Sequence, residues 1–431
     1  MNFDNPFQGL EHSLTQDKKY KTEEEQRGVL ERKMMLTRAL RRAELSASMK
    51  TGQYSEYHTE GERVGDHYRL IFNIMRAIIE DDDSALQRLP EAAREALGNL
   101  DESIKKTIRE YPNLIRYIVL THDIAKTEEG RSFNEKKFKM PEGDLLSEAP
   151  AEAVEMAREY ESEKNQLESH IGILQDQEKN IKKDIQTLEK QLKNKKSSFE
   201  ELGDAKLKIE ARKKTLADFE AASSSKKMEL DKITAGFYDD LKKMGLTGRE
   251  IFKYFGLGVG FVGHEAKSAE AVRGMEIPEE TKKLLARLAE DHIIPLQRFN
   301  YENISDNDAA TFFIRSYGEY DHEEFRLSLA MAALDILGSV REGGNIDLTP
   351  INNILRGRRE AWVNDRVKEK IDEAVASTLE EEDRFKDLKG VDVRDKNTPI
   401  PVKQKYSQMR KEVEARLKDE LRAEFEELNN K

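Results

Sequence analysis

The sequence predicts an all-α protein, and three observations lead to this fold class. Apolar residues recur at helical spacing through most of the chain, whereas the alternation typical of strands is almost absent. A long heptad run in the middle of the chain is typical of a coiled coil. The C-terminal part has a helical pattern and is highly charged. We therefore expect a helical bundle interrupted by a long antiparallel coiled-coil hairpin and followed by a charged helical tail.

The composition narrows the possible functions. The chain has 431 residues, of which 37% are charged and 37% hydrophobic, and its net charge of −12 argues against nonspecific coating of DNA. It contains no cysteine, so any metal must be bound by His, Asp or Glu. The first residues lack the features of a secretion signal, and no apolar run approaches the roughly 20 residues of a membrane span. We expect a cytoplasmic protein without membrane contact.

Helices are predicted throughout the part that precedes the coiled coil. Residues 21–50 have the pattern of a charged amphipathic helix. One apolar stripe then starts at His67 and continues through Ile71, Ile74 and Ile78, and another runs through Leu114 and Ile118 to His122. Each of these two helices therefore carries a histidine at one end of its buried face.

The coiled coil occupies residues 151–245, which are free of proline. Its heptad positions are Leu167, Ile171, Leu174, Ile181, Ile185, Leu188 and Leu192, with a break at Glu178, and a second series is Leu202, Ile209, Leu216 and Phe219. A single helix of this length would lack a partner, so we expect a hairpin that turns near residues 197–204 or, alternatively, at 221–227. We expect the two series to pack on each other and to lend the rest of the protein little packing.

The chain is thereby divided into five parts. These are an N-terminal amphipathic segment (1–50), the first half of the bundle (51–150), the hairpin (151–245), the second half of the bundle (246–345) and a charged helical C-terminal region (346–431), which has one break at 396–404.

Several apolar helices are interrupted by side chains that bind metals. The histidines concerned are His67, His122, His264 and His292, and the carboxylates are Asp123 and Asp335. A single histidine on an apolar face is more often a hydrogen-bonded core residue than a ligand. Because all the interruptions are imidazoles or carboxylates, which suit Mn, Mg, Fe, Co, Ni or Zn, their combination favours a divalent metal site with one or two ions.

The order of these residues resembles the HD superfamily of metal-dependent phosphohydrolases, an all-α family named for its adjacent His-Asp pair. The segments "HTEGERVGDHYRLIF", "LTHDIAK" and "GHEAKSAEAV" are most similar to the HD domain of bacterial CCA-adding tRNA nucleotidyltransferases. The resemblance covers residues 55–130 and 255–340. No nucleotidyltransferase domain accompanies it, so CCA addition is not implied.

The resemblance implies a role for each candidate. His67, His122, Asp123 and Asp335 would bind a first ion, and Asp123 would bridge to a second ion that His264 and His292 complete. Lys126 would face the phosphate of the substrate. Glu265 would orient an imidazole or transfer a proton, or would only place a charge at a helix start. His58 is an alternative to His67 as a ligand of the first ion, and His322 is an alternative to His292 as a ligand of the second.

Two functions follow from different classes. The ligand set favours a hydrolase that acts on a phosphomonoester or phosphodiester, perhaps a nucleotide or RNA end, with a metal-activated water. The alternative is a non-catalytic scaffold or adaptor with a structural HD core, in which the hairpin binds a protein or nucleic acid. The sequence "GVGFVG" spells a dinucleotide-loop pattern, but no strand precedes it, so we interpret it as a glycine loop before His264.

Overall fold

The structure is a computed structural model of the whole chain. It describes residues 48–54, 58, 61, 63–80, 83–193, 199–340, 344–393 and 395–429. The helix predicted at 21–50 therefore lies almost entirely outside the described residues. Within them the protein is all-α apart from one small antiparallel sheet, which confirms the predicted fold class. None of the described helices combines the length and the apolar sequence needed to cross a bilayer.

The helices and strands follow one another in a simple order. Before the hairpin lie α1 (Val64–Glu80), α2 (Asp83–Gln87), α3 (Glu91–Gly98), α4 (Glu102–Glu110), α5 (Pro112–His122), β1 (Ser132–Phe133) and α6 (Asp144–Glu148). The hairpin is formed by α7 (Ala151–Leu192) and α8 (Phe199–Lys243). After it come α9 (Gly248–Phe255), β2 (Val259–Gly260), α10 (His264–Arg273), α11 (Glu279–Asp291), α12 (Ile294–Arg298), α13 (Asp306–Tyr317), α14 (His322–Gly338), α15 (Thr349–Glu381) and α16 (Ile400–Asn429).

The described residues form two compact units. The first contains residues 68–125 and 265–429, and the second contains 48–67 and 126–264. The chain passes between the units inside α1, after Ala125 and at the start of α10.

The first unit is organised around α14, whose C-terminal two thirds are buried on every side. Its sequence from Leu327 to Leu337 is apolar except for Ser328 and Asp335, so it presents no amphipathic stripe and must be surrounded by other helices. Helices α3, α4, α5 and α11 pack against it. A capping box at Asp321 and Glu324 begins the helix. Asp335 is thus carried into the most apolar part of the unit.

The C-terminal region forms a pair of packed helices within the first unit. Val363, Val367, Ile371 and Val375 of α15 pack against Met409, Val413, Leu417 and Leu421 of α16. The 3₁₀-helix Asp383–Leu388 lies in the connection and adds Phe385 to this core. The helical tail is therefore confirmed, although its break extends from Glu382 to α16 and begins before the predicted residues.

The core of the second unit is built on the base of the hairpin. Tyr160 of α7 stacks on Phe237 of α8 at 4.5 Å between ring centroids, and Phe237 also contacts Phe255 of α9. Strands β1 and β2 pair antiparallel beside them. Gly256 ends α9 in the left-handed conformation, with φ of +69°. The expectation that the hairpin lends little packing to the rest is therefore wrong for its base, because aromatic residues replace the heptad pattern there.

Beyond its base the hairpin buries its own apolar stripe. Leu167 and Ile171 pack with Leu230, and further out Ile181 and Ile185 pack with Ile209. The predicted pairing of the first series with Leu202 to Phe219 therefore holds only for the outer part. Glu178 lies between the two clusters, at the predicted break in the heptads.

Helix α7 ends at Leu192 and α8 begins at Phe199. Residues 199–204 of the predicted turn, 197–204, are therefore helical, and residues 197 and 198 lie outside the described residues. The alternative turn at 221–227 is wrong, because these residues lie inside α8. Three serines do not break a helix that is paired along its length.

Candidate metal centre

His122 and Asp123 stand where α5 ends inside the first unit. His122 is the last residue of the helix and Asp123 is its C-cap, and both are completely inaccessible to solvent. The hydroxyl of Thr121 donates to the carbonyl of Tyr117 at 2.8 Å and is satisfied within the helix. The run from Tyr117 to Leu120 is buried, so the end of α5 carries the polar pair into the core. An apolar helix that ends in a His-Asp pair therefore places both side chains in the core.

Two further helices bring side chains to this pair. His292 is the C-cap of α11, which packs against α5, and Asp335 lies near the end of α14. The Nε2 atom of His122 lies 3.2 Å from Oδ2 of Asp123 and 3.4 Å from Oδ1 of Asp335. The Nε2 atom of His292 lies 3.7 Å from the other carboxylate oxygen of Asp123, Oδ1. Both oxygens of Asp123 therefore face an imidazole nitrogen.

Backbone carbonyls fix the two imidazoles. Nδ1 of His122 lies 2.5 Å from the carbonyl oxygen of Val119, and Nδ1 of His292 lies 2.7 Å from that of Ala289. Because a carbonyl oxygen only accepts hydrogen bonds, each Nδ1 must carry the proton and donate. The other nitrogen, Nε2, then faces the carboxylates. A histidine that binds a metal typically donates its other ring N–H to a carbonyl or carboxylate in the same way.

The donor atoms around His122 have a spacing that fits a bound divalent ion. Metal–nitrogen and metal–oxygen bonds of about 2.1 Å place neighbouring ligand atoms roughly 3.0 Å apart in octahedral and roughly 3.4 Å apart in tetrahedral geometry. The observed separations of 3.2 and 3.4 Å around His122 fall within this range. Imidazole and carboxylate donors suit the metals of borderline and hard character. The residues present therefore fit a divalent metal ion.

The pKa of His122 reflects the same arrangement. Burial by itself lowers it, but the carboxylates of Asp123 and then Asp335 outweigh burial and raise it from 6.5 to about 9. In the absence of metal, His122 is consequently protonated at neutral pH, and its Nε2–H donates to the carboxylates. A proton and a metal ion would compete for this nitrogen.

His67 and its rival His58 belong to the second unit and lie side by side there. Their rings meet edge to face at 5.1 Å between centroids. His67 is completely buried in the first turn of α1, whereas His58 is half-buried. Like His122, Asp123 and Asp335, His67 is a buried side chain that could hold a metal ion.

The glycine loop leads to the remaining candidates. Its last glycine, Gly263, has φ of +68° and precedes His264, the first residue of α10, whose Nδ1 lies 2.6 Å from the carbonyl oxygen of Phe261. The Lys126 Nζ stands 5.7 Å from the centroid of the Phe261 ring and is buried. Glu265 lies in the first turn of α10 and is half-buried.

His322 does not compete with His292. It is the first residue of α14, and Asp335 follows 13 positions later, which corresponds to about 20 Å along a helix. Its ring instead lies beside Arg358, whose Nη2 is 3.5 Å from Nδ1 of His322.

Some contributors to the centre were not found from the sequence. The carbonyls of Val119 and Ala289 orient the imidazoles, and a carbonyl gives no sequence signal. The ring of Tyr68 packs edge to face on His122 at 5.8 Å. Ser268 accepts a hydrogen bond from the backbone N–H of Ala125 at 3.2 Å and so fixes the chain after Asp123. Of these contributors, only Tyr68 could have been indicated by the sequence, because it is an aromatic residue directly after the candidate ligand His67.

No family model, curated protein or solved structure matches this chain.

Proposed function

We propose that this chain is a divalent-metal-dependent phosphohydrolase of the HD type. The observation that carries the proposal is the arrangement of His122, Asp123, Asp335 and His292. Their donor atoms come from three helices and are buried. Nε2 of His122 lies 3.2 Å from Oδ2 of Asp123 and 3.4 Å from Oδ1 of Asp335, and Nε2 of His292 lies 3.7 Å from Oδ1 of Asp123. Such a cluster is costly to bury unless a cation or a proton compensates the carboxylates.

Each oxygen of Asp123 would serve a different ion. Oδ2 of Asp123, Nε2 of His122 and Oδ1 of Asp335 would hold the first, and Oδ1 of Asp123 with Nε2 of His292 would hold the second. His67 and His264 of the second unit share features with these ligands. His67 directly precedes Tyr68 in α1, and the Nδ1 atom of His264 faces a carbonyl three residues earlier, as in His122 and His292.

The protein would use these residues to cleave a phosphomonoester or phosphodiester bond. A bound divalent ion supplies Lewis acidity, which makes a water molecule acidic enough to attack phosphorus at neutral pH. The carbonyls of Val119 and Ala289 keep the imidazoles oriented and in the correct tautomer. Lys126 would neutralise phosphoryl oxygen charge, and Glu265 would accept or pass on a proton. The substrate class we favour is a nucleotide or an RNA end.

Metal content and hydrolysis test the proposal together. Purified wild-type protein is loaded separately with Mn²⁺, Mg²⁺, Ni²⁺ and Co²⁺, its bound metal is measured, and a panel of phosphate esters is screened. We expect Asp123→Asn and His122→Asn to lose both bound metal and hydrolysis. Asp218→Asn and His170→Asn change the same residue types at exposed positions of the hairpin and serve as matched controls. Equal metal content in Asp123→Asn and wild type would refute the site.

The hairpin supports a second role, the binding of a protein or nucleic acid. Ile173, Leu207 and Met228 are more than half exposed along it. Exposed apolar side chains on an otherwise charged surface are typical of binding sites. If the metal centre binds no metal in any form of the protein, the scaffold function becomes the better proposal, and capture experiments with the isolated chain would follow.

A further inference from the structure

Arg358 is a half-buried cation that packs against two aromatic rings. Its guanidinium lies over the rings of Phe325, at 5.1 Å, and Phe425, at 5.9 Å. Its hydrogen bond at 3.5 Å goes to Nδ1 of His322, which is a neutral acceptor there. Among the residues that the structure describes, no carboxylate forms a salt bridge with Arg358.

The surroundings of Arg358 are basic. Burial and, secondly, the guanidinium of Arg326 lower the pKa of Arg358. The pKa of His322 is also lowered, first by burial and then by Arg358 and Arg326. Burial is the first cause of both shifts, and a neighbouring guanidinium adds to each of them.

The nearby carboxylates have other partners. Glu110 accepts a charge-assisted hydrogen bond from Arg326. Asp321 caps α14 by accepting from the N–H of Glu324, and the carboxylate of Glu324 pairs with Arg287 at 3.0 Å. None of these side chains can turn to Arg358 without giving up its own contact.

The partial burial of an unneutralised guanidinium is unfavourable, and a protein usually pairs such a group. Two aromatic rings offset part of this through cation–π attraction. We propose that Arg358 and His322 form an anion-binding site for a phosphate group. This site lies at the start of α14, about 20 Å along that helix from Asp335, and is separate from the metal centre.

A phosphate group fits these side chains better than a carboxylate does. The planar guanidinium can donate two parallel hydrogen bonds to two oxygens of a phosphate. The imidazole of His322 can take up a proton and donate a further bond once negative charge arrives. Trp362 packs beside Phe425 at 5.5 Å and would adjoin the rest of a phosphorylated ligand.

Thermal unfolding of the full-length, metal-free protein in inorganic phosphate tests the site. Wild type and Arg358→Met are compared in chloride and in phosphate at equal ionic strength. In chloride we expect Arg358→Met to unfold at the same or a higher temperature than wild type, because the substitution removes an unneutralised charge. Phosphate should raise the Tm of wild type by about 3 °C at roughly ten times its Kd, and should leave that of Arg358→Met unchanged.

Three further variants decide between explanations. Arg366 lies on the same helix, and its guanidinium pairs with Glu369 at 2.9 Å. Arg366→Met should therefore keep the phosphate-induced rise in Tm. His322→Asn should reduce the shift. Asp123→Asn should keep the shift, because it affects only the metal centre, so the proposed hydrolase function can fail while this site is confirmed. The proposal is overturned if Arg358→Met unfolds at a lower temperature in chloride and retains the phosphate shift, since Arg358 would then act only through its aromatic contacts.

Discussion

Nε2 of His122 lies 3.4 Å from Oδ1 of Asp335, although the two residues come from helices far apart in the sequence. The helix that carries Asp335 is surrounded by apolar packing, and the helix that carries His122 ends in it. A histidine and two carboxylates in such a place need either a proton or a metal ion between them. The pH dependence and the metal dependence of stability follow from whether a proton or a metal ion is present.

The metal-free protein should lose stability as the pH rises above neutrality. The pKa of His122 is about 9 in the folded protein and 6.5 when unfolded, so its contribution is fully present below pH 6.5 and is lost as the pH rises through 9. We expect the loss to be on the order of 3 kcal/mol between pH 6.5 and 9.5. Urea unfolding of the metal-free protein at both pH values measures it. His170→Asn should show the same loss, whereas a loss of equal size in His122→Asn would contradict this origin.

Addition of metal should stabilise the protein and reverse this pH dependence. Mn²⁺ at about 100 times its Kd stabilises a folded protein by roughly 2.7 kcal/mol if the unfolded chain does not bind it. Because the ion replaces the proton on His122, its affinity should increase from pH 6.5 to 9. Calorimetric titration in buffers of different ionisation enthalpy measures the affinity and the released proton. Asp335→Asn should weaken binding, and an affinity independent of pH would exclude His122 as a ligand.

The sequence predicted the helices well because their signals are local. The apolar stripes that end at His122 and start at His67 are periodic, and both were found as helices. The proximity of His122, Asp123 and Asp335 was expected from a resemblance and from the residue types. The carboxylate oxygen that each imidazole nitrogen faces was not expected, because it depends on where α5, α11 and α14 cross.

One error came from packing that the sequence does not encode locally, and the other from the start of a helix, which a local capping signal sets. The heptad series suggested that the hairpin pairs only with itself, but Tyr160 and Phe237 at its base pack on α9. His322 looked equivalent to His292 as a histidine in a helical segment. Its position at the opposite end of α14 from Asp335 depended on where this helix begins, which the capping box at Asp321 determines.

The C-terminal helical pair depends on a buried ion network. Glu360 is 2% exposed and accepts from Arg422 at 2.8 Å and from Arg359 at 3.1 Å. Arg422→Met should destabilise the protein by roughly 2 kcal/mol, since it removes one of the two cations from a buried carboxylate. Arg410→Met on the same helix removes an exposed pair with Asp372 and should change stability by less than about 0.5 kcal/mol. Urea unfolding compares the variants, and equal effects would mean that burial of Glu360 is unimportant.

A methyl group at Gly256 should disrupt the second unit. Gly256 has φ of +69°, and a Cβ atom there would lie 2.3 Å from the carbonyl oxygen of Lys137. We expect Gly256→Ala to cost roughly 3 kcal/mol, from backbone strain and this clash. Gly245→Ala is the matched control, because Gly245 has φ of +92° but no atom within 4 Å of its Cβ position. It should cost only about 1 kcal/mol. Similar losses of unfolding free energy for both would show that the close approach to Lys137 has no effect.

Two deletions of different length in the hairpin should have opposite effects on stability. The outer part buries only its own residues, so a short Gly/Ser linker in place of residues 175–222 leaves Leu167, Ile171 and Leu230 in contact. Loop-closure entropy changes by only about 0.6 kcal/mol for each doubling of length, and paired helices lie 8 to 10 Å apart, which a few linker residues can span. We expect this variant to fold cooperatively with little change in Tm.

Replacement of residues 160–235 instead removes Tyr160 from its stack on Phe237, together with its hydrogen bond at 2.9 Å to Thr234. Loss of a buried aromatic residue typically costs 3 to 5 kcal/mol, so this longer deletion should lower the Tm strongly or give insoluble protein. Tyr160→Ala in the full-length chain should reproduce most of that loss, because it leaves the rest of the hairpin in place. If both deletions unfold at the temperature of wild type, the base of the hairpin contributes nothing to the core. If both are insoluble, the outer hairpin is also required for folding.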